Sequence, residues 1–408
     1  MCSSKAFAIH YVVSLGDMTV ITEPYLLVLN IALNRFDGVY WADPLWRKDL
    51  EAHLAQIADL AIACPVVEAK PPVTWEQVGA LGMVVHPLPV MGRQSYVTLP
   101  FIAVKLWRAI STVRIVHTGI AGWPYPLGWI AIPIARFRRR FTILVVESAF
   151  WRIPPGIEVS PFARMRARLN EVINRALTRY CDVSFFTTQS YRDTLHAGPA
   201  ETAHVLPAVW VDEDQLITTN KLAELAPTRG NAILFAGRLT EDKGVRILLN
   251  AVLRSRVPVD IVGDGELYDV VVQAQNEAPS LFRLLEPASY GTAFSSLLDR
   301  YAAIVVPTIS DEQPRVIFDA FARGIPVLAS ATSGNRQIVE QAKTGLLYRP
   351  NDAEALAAVL TAAAADPARL RAMGETALQS MALRTHKAMH AVRAGVVAAT
   401  LARHRRNP

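Results

Sequence analysis

Short apolar runs alternate with longer segments whose apolar positions recur at helical spacing through most of this chain. In the first half the runs Phe7–Val13, Gly38–Trp41, Leu60–Ala63, Met83–His86, Arg114–His117, Thr142–Val146 and Val183–Thr187 predict strands. Apolar helices fall between them, so a mostly parallel sheet is the economical assembly. The second half repeats the alternation with Ile233–Leu239, Val259–Val262, Ile304–Thr308 and Ile325–Leu328. Ala353–Ala365 predicts an alanine-rich helix, Pro367–Met381 another, and the tail from Thr385 a last one ending in Arg403-His404-Arg405-Arg406. The polar stretch Leu216–Gly230, with Pro227 and Gly230, reads as a link. The expected organisation is a domain over 1–215, a linker over 216–230, a domain over 231–384 and a terminal helix over 385–408. No internal sequence repeat is visible.

Candidate chemistry concentrates in the second half. Thr308–Asn351 reads TISDEQPRVIFDAFARGIPVLASATSGNRQIVEQAKTGLLYRPN. Asp311 and Asp319 are spaced by a little over two helical turns, with Glu312 beside the first. Both carboxylates are therefore expected on one side of a helix N-terminus, where Pro314 is tolerated. Acids placed there accept hydrogen bonds from ligand hydroxyls. The strand Ile325–Leu328 then opens into a Ser/Gly/Asn loop holding Gly334 and Asn335. Upstream, Ile233–Leu239 ends in Gly237-Arg238 and is followed by Glu241-Asp242-Lys243-Gly244. Parallel sheets bind ligands at the carboxyl ends of their strands. Arg238 offers a planar fork for phosphate oxygens there, and Lys243 a mobile point charge. Between the two motifs, Val262-Gly263-Asp264-Gly265 is a strand end with a Gly-x-Gly turn, which permits positive φ and close backbone approach to a ligand.

These motifs, in this order, resemble the donor half of the retaining glycosyltransferases of family 4. That family carries a glutamate, seven residues, then a glutamate, running into A-x-G-x-P-V. Here Asp311 and Asp319 take the two glutamate places, or Glu312 serves as the sugar-facing acid one position along. Ala322, Gly324, Pro326 and Val327 match the rest, and Lys343-Thr344-Gly345 resembles a later turn of the family. Its F-x-G-R-L-x-x-x-K-G and I-V-G-D-G motifs are matched at 235–244 and 261–265.

The resemblance is strong for 230–352 and weak before it. It implies an α/β chain of the GT-B class, two Rossmann-like domains with parallel sheets facing each other across a cleft. It implies that a hexose moves from a GDP- or UDP-sugar to an acceptor hydroxyl with retention, on a lipid-linked or growing polysaccharide acceptor. Arg238 and Lys243 would hold the diphosphate, with Gly237, Gly263, Asp264 and Gly265 around the nucleotide. Asp311 or Glu312 would orient the sugar, and Asp319 the ribose. Pro314, Arg315, Val316, Gly334 and Asn335 complete the implied donor site. The N-terminal domain would take the acceptor. Family members usually carry a Gly-Gly loop after the first strand, whereas this chain has Ser14-Leu15-Gly16-Asp17-Met18, with Gly16 alone. By the same resemblance His117 would lie near the transferred sugar; Glu147–Arg152 also ends a strand, which puts Glu147 and Trp151 forward as acceptor-side residues. No cofactor is expected beyond the donor itself, and no metal, since no Asp-x-Asp motif is placed to carry one.

Charge adds a partner class. Lys and Arg number 42 against 36 Asp and Glu, for a formal +6 and a pI near 9.3. Such a balance suits an anionic substrate or an anionic membrane surface; no nucleic-acid motif accompanies it. Hydrophobic residues make up 51% of the chain, which indicates a large core, and no apolar stretch is long enough to span a bilayer. Trp123–Ile134 is apolar and aromatic and runs into Arg136, Arg138, Arg139 and Arg140. That composition suits peripheral contact with an anionic membrane, or a buried helix capped by solvated arginines. Arg164, Arg166, Arg168, Arg175 and Arg179 mark a second basic helix, whose interleaved apolar positions are expected to face the core. Three widely spaced cysteines supply neither a disulfide framework nor metal spacing, and the first residues do not read as a secretion signal, so a cytoplasmic protein is expected. The alternatives are another GT-B enzyme, such as a sugar-nucleotide epimerase, and a non-catalytic protein that binds sugar nucleotides.

Overall fold

The structure is a computed structural model that describes residues 20–406, apart from 91, 93–94, 123, 154–157, 311 and 341–342. The expected strand Phe7–Val13, Gly16 and Asp311 lie outside the described residues. The strands are β1 (Tyr25–Val28), β2 (Leu33–Phe36), β3 (Val39–Ala42), β4 (Leu60–Glu68), β5 (Glu76–Gln77), β6 (Val84–Leu88), β7 (Ile115–Gly119), β8 (Phe141–Val146), β9 (Val183–Phe186), β10 (Ala203–Val205), β11 (Ile233–Ala236), β12 (Val259–Val262), β13 (Phe282–Leu285), β14 (Ala303–Val306), β15 (Val327–Ser330) and β16 (Gly345–Tyr348). The helices are α1 (Pro44–Leu54), α2 (Ser95–Ser111), α3 (Gly128–Phe137), α4 (Pro161–Tyr180), α5 (Gln189–Leu195), α6 (Thr219–Leu225), α7 (Val245–Ser255), α8 (Tyr268–Glu277), α9 (Thr292–Leu298), α10 (Val316–Ala322), α11 (Ser333–Ile338), α12 (Ala353–Ala365), α13 (Pro367–Gln379) and α14 (His386–Arg406). Among the described residues no helix is long and apolar enough to cross a membrane.

By their contacts the residues form two compact units. One holds the described residues up to Leu144, Tyr180–Val183 and the described residues from Lys387. The other holds Val145–Arg179 and Ser184–His386.

In the first unit β1 lies parallel between β4 and β7, with Leu27 opposite Ile62 on one side and His117 on the other. A strand buried on both faces reads as an unbroken apolar run, and β4 is buried from Leu60 to Val66. Leu26, Val28, Ala61, Ala63 and Val116 pack against Ile102 and Leu106 of α2 and Ala131 and Ala135 of α3. The apolar stretch before the arginine run therefore supplies core. Helix α1 starts where Asp43 accepts from the Leu45 amide at 2.9 Å, with Pro44 in its first turn.

In the second unit six parallel strands run in the order β13-β12-β11-β14-β15-β16. Core packs on both faces, around Phe235, Val305 and Leu328 on one and Leu234, Ile304 and Val327 on the other. The chain order turns back between β11 and β14, the switch point at which such a sheet opens for a ligand. The expected link over 216–230 holds α6 and a 3-10 turn, with Leu222 and Arg229 buried. Arg229 donates to the carbonyls of Asp299, Arg323 and Gly324, and burial lowers its pKa to about 10.

Two local expectations are corrected. Helix α10 begins at Val316, so residues 312–315 precede it and Glu312 does not share a helical face with Asp319. Pro314 sits just ahead, its carbonyl accepting from the Ile317 amide at 3.3 Å. On α4, Met165, Leu169 and Val172 are exposed, and the buried positions are Asn174, Leu177 and Thr178. Leu177 faces the core as expected, beside the polar Asn174 and Thr178, while the stripe of Met165, Leu169 and Val172 faces outward.

Candidate functional site

The site grows from the loops after β11 and β14. After β11 the chain makes a 3-10 turn over Glu241–Lys243. The Asp242 carbonyl accepts from the Ile309 amide and the Thr308 hydroxyl, both at 2.9 Å. Those bonds tie the cationic loop to the acidic one and fix Lys243 between them. Lys243 Nζ lies 3.2 Å from Asp242 Oδ2 and 3.2 Å from Glu312 Oε2, and its side chain is 19% exposed. Glu312 Oε1 accepts from the Ser148 hydroxyl at 2.7 Å. Burial alone would raise the Asp242 pKa. The Thr240 hydroxyl, Lys243 and Arg238 more than offset this and hold the carboxyl below its usual range. Arg238 is different: its side chain is 66% exposed, and its nearest carboxylate, Asp242, is 3.7 Å away. One cation is thus locked in place, while the other stands at the strand end facing solvent.

Glycines let the loops approach. At Gly263 (φ +154°) a Cβ would sit 1.9 Å from the Gly237 carbonyl oxygen, and at Gly265 (φ +152°) one would sit 2.6 Å from that of Leu239. The Leu239 amide donates to the Asp264 carbonyl at 2.8 Å, so the two loops are laced together. At Gly244 φ is +72° and a Cβ would meet the Pro307 carbonyl oxygen at 2.0 Å. Gly244→Ala therefore forces both a left-handed alanine and a clash with rigid backbone. It is expected to destabilise the second unit by about 1–2 kcal/mol from the backbone alone, read as a lower melting temperature. An unchanged melting temperature would show that the turn relaxes freely.

The second acid stands on α10. Asp319 accepts from the Tyr290 hydroxyl at 2.9 Å. Burial, with Asp319 adding to it, pushes the Tyr290 phenol up, so it stays a donor. Arg315, exposed at the start of α10, stacks over Trp210 at 4.6 Å. Val316 opens the helix. Gly334 and Asn335 are buried in α11, where Asn335 Nδ2 donates to the Ser330 carbonyl at 2.8 Å. Glu147 is exposed after β8 and its carbonyl accepts from Thr187. Trp151 is buried, its indole donating to Glu171 at 2.8 Å.

Of the candidates, Lys243 and Glu312 are brought into contact, and Arg238, Gly237 and the 263–265 turn lie at the same sheet edge. Ser148, Asp242 and Tyr290 were not singled out from the sequence. Their signals are a hydroxyl after one strand, an acid inside a basic loop and a lone tyrosine, none of which identifies a partner distant in the chain.

His117 lies in the first unit, in the middle of β7, and is buried. Its Nδ1 bonds the Tyr25 hydroxyl at 2.8 Å, and its ring meets His53 edge-on. His390 of α14 bonds Asp49 at 3.1 Å and packs edge-on against His53, with ring centroids 4.5 Å apart. Asp49, His53 and His390 present ligand atoms within 4.8 Å of one another, a spacing a metal ion would accept. Arg393 puts a positive charge on the same cluster.

Residues 230–366 match the family described as Glycosyl transferases group 1. A D-inositol 3-phosphate glycosyltransferase of Catenulispora acidiphila is 33% identical over 169 residues, covering 37% of this chain and 40% of that protein. The match thus spans less than half of the relative's length. Among solved structures, sucrose-phosphate synthase from Thermosynechococcus elongatus superposes with a TM-score of 0.68 at 20% identity, over 93% of this chain and 99% of that one. Anabaena Alr3699/HepE in complex with UDP superposes with a TM-score of 0.67 at 14% identity, over 93% and 99%. At those identities the likeness is one of fold, and the fold is GT-B. The likeness to the group 1 glycosyltransferases thus rests on residues 230–366, and the chain carrying them has a GT-B fold.

Proposed function

We propose that this protein is a retaining glycosyltransferase that moves a hexose from a UDP- or GDP-sugar to an acceptor hydroxyl. The observation that carries the reading is Lys243 held between Asp242 and Glu312 at the switch point, with Arg238 exposed at the same strand end and only loosely paired with Asp242. In this reading 231–384 is the donor domain, 1–215 the acceptor domain, 216–230 the link, and 385–408 the terminal helix. When the bond from the anomeric carbon to the diphosphate breaks, the leaving oxygen gains negative charge. Preorganised cations stabilise that charge more in the transition state than in the ground state. Arg238 and Lys243 fill that role here in place of a divalent ion. Glu312 orients the sugar hydroxyls, and Asp319, held by Tyr290, takes the ribose. Retention places the acceptor hydroxyl on the leaving-group side, where a diphosphate oxygen accepts its proton. The proposed acceptor is a glycan or a lipid-linked glycan, with the protein cytoplasmic and in peripheral contact with an anionic membrane.

Thermal stability against UDP, GDP, ADP, UDP-glucose, UDP-N-acetylglucosamine and GDP-mannose tests the donor site. A ligand at a hundred times its Kd stabilises the folded state by about 2.7 kcal/mol, which a melting curve resolves as a shift of a few degrees. The Anabaena structure with UDP makes uridine the first base to try. A shift with one nucleotide family is expected. No shift with any nucleotide at millimolar concentration would remove the reading. A shift with no transfer to any acceptor would leave a protein that binds sugar nucleotides without turning them over.

A further inference from the structure

Helix α4 is built outside in. It runs 20 residues from Pro161 to Tyr180. Phe162, Met165, Leu169 and Val172 are 68%, 60%, 57% and 65% exposed. Their spacing of three, four and three residues puts them on one face. Ala176 and Tyr180 continue the stripe and are also exposed. Arg164, Arg168, Arg175 and Arg179 run along one side of it and Arg166 along the other. An ordinary surface helix turns such a stripe to the core, but here hydrogen bonds pin the opposite orientation. The Thr178 hydroxyl donates to the Leu195 carbonyl at 2.8 Å and accepts from the Ala197 amide at 3.2 Å. Glu171 accepts from the Trp151 indole at 2.8 Å and from Arg152 at 2.6 Å. Rolling α4 to bury its apolar stripe would break all four.

We infer that the exposed face of α4 is a docking surface for an anionic lipid bilayer, with the apolar stripe entering the acyl boundary and the arginines seated among lipid phosphates. A helix that is strongly amphipathic, low in net hydrophobicity and rich in arginine lies in the plane of a membrane interface. Charge selects the occupant. Two copies pairing through α4 would press five arginines against five, whereas an anionic surface neutralises them. Each basic side chain near such a surface strengthens binding by roughly fivefold. The inference supplies a surface for the peripheral contact proposed above and does not depend on the transferase reading, because nucleotide binding is measured separately.

The test is flotation of the full-length chain with vesicles of phosphatidylcholine containing phosphatidylglycerol, against phosphatidylcholine alone. Anionic vesicles are expected to bind at least tenfold more protein at low salt. Binding should weaken as the Debye length falls from about 10 Å at 0.1 M to 3 Å at 1 M salt. The double variant Leu169→Glu, Val172→Glu keeps the inner face of α4 and is expected to lose at least tenfold of this binding, with its melting temperature and its nucleotide-induced shift unchanged. If the double variant fails to fold, Arg164→Gln with Arg168→Gln tests the same surface through charge alone, with the same loss of vesicle binding expected. Absence of wild-type binding to anionic vesicles at low salt would overturn the inference. So would equal binding by a folded variant, or a wild-type dimer that either variant dissociates.

Discussion

Lys243→Ala is expected to lower kcat for glycosyl transfer by about a hundredfold to a thousandfold, the cost of removing one preorganised group from a site of developing charge. The geometry is specific about why. Lys243 Nζ is 3.2 Å from both Asp242 and Glu312, and the Asp242 carbonyl is bonded to Ile309 and Thr308. The cation is therefore placed before any ligand arrives, and its position costs nothing during the reaction. Arg238, two-thirds exposed and lightly tethered, has to be ordered by the ligand, so Arg238→Ala is expected to act more on KM. The measurement is steady-state transfer with the donor that thermal stability identifies. A Lys243→Ala enzyme with normal kcat and raised KM would mean that Lys243 binds ground state and transition state alike. Normal values of both would remove it from the chemistry. Circular dichroism separates either result from unfolding. The charge left behind is moderate, because the Glu312 side chain is 27% exposed and still accepts from Ser148.

The loops at the strand ends of the second unit were legible because their signals are local. Ile233–Ala236 is an apolar run, Gly237-Arg238 ends it, and Gly263 and Gly265 sit where only glycine lets two loops touch. Each of these is a property of a few adjacent residues. The partnerships were not legible, because contact between residues distant in the chain leaves no local pattern. Nothing near Ser148 points to Glu312, and nothing near Tyr290 to Asp319. Helical spacing failed twice in instructive ways. It carried the acidic segment into a helix that starts only at Val316, after Pro314. On α4 it located the apolar stripe but assigned it to the core, since periodicity reports that a helix has two faces without saying which one is covered. His117 illustrates the limit in the first unit. A histidine in a strand of an α/β sheet carries no mark of its surroundings, and this one is enclosed by Tyr25, His53 and the charges of Asp49 and Arg393.

That enclosure makes the first unit acid-sensitive. His53 and His117 are buried and their pKa values lie well below the ordinary imidazole range. Burial is the main cause for both. For His53 the neighbouring His390 acts next in the same direction, and for His117 Arg393 does; Asp49 opposes the shift in each case. Below a pH of about 6.5 an unfolded chain takes up protons on these histidines that the folded chain refuses. The stability they carry is thus complete above that pH and is lost as pH falls. For each histidine that stays neutral, moving from pH 7 to pH 5 removes about 2 kcal/mol, and the two together remove about 4 kcal/mol. Melting temperature at constant ionic strength should be flat above pH 7 and fall steeply from pH 6.5 to 5. In His117→Gln the glutamine still offers the Tyr25 hydroxyl a partner but does not titrate, so the fall should be about half as steep. The slope is the readout that separates titration from packing: a variant merely repacked around position 117 would melt lower at every pH. Parallel curves for wild type and His117→Gln would mean that His117 takes up its proton in the folded state, and that the cluster opens to water before the protein unfolds.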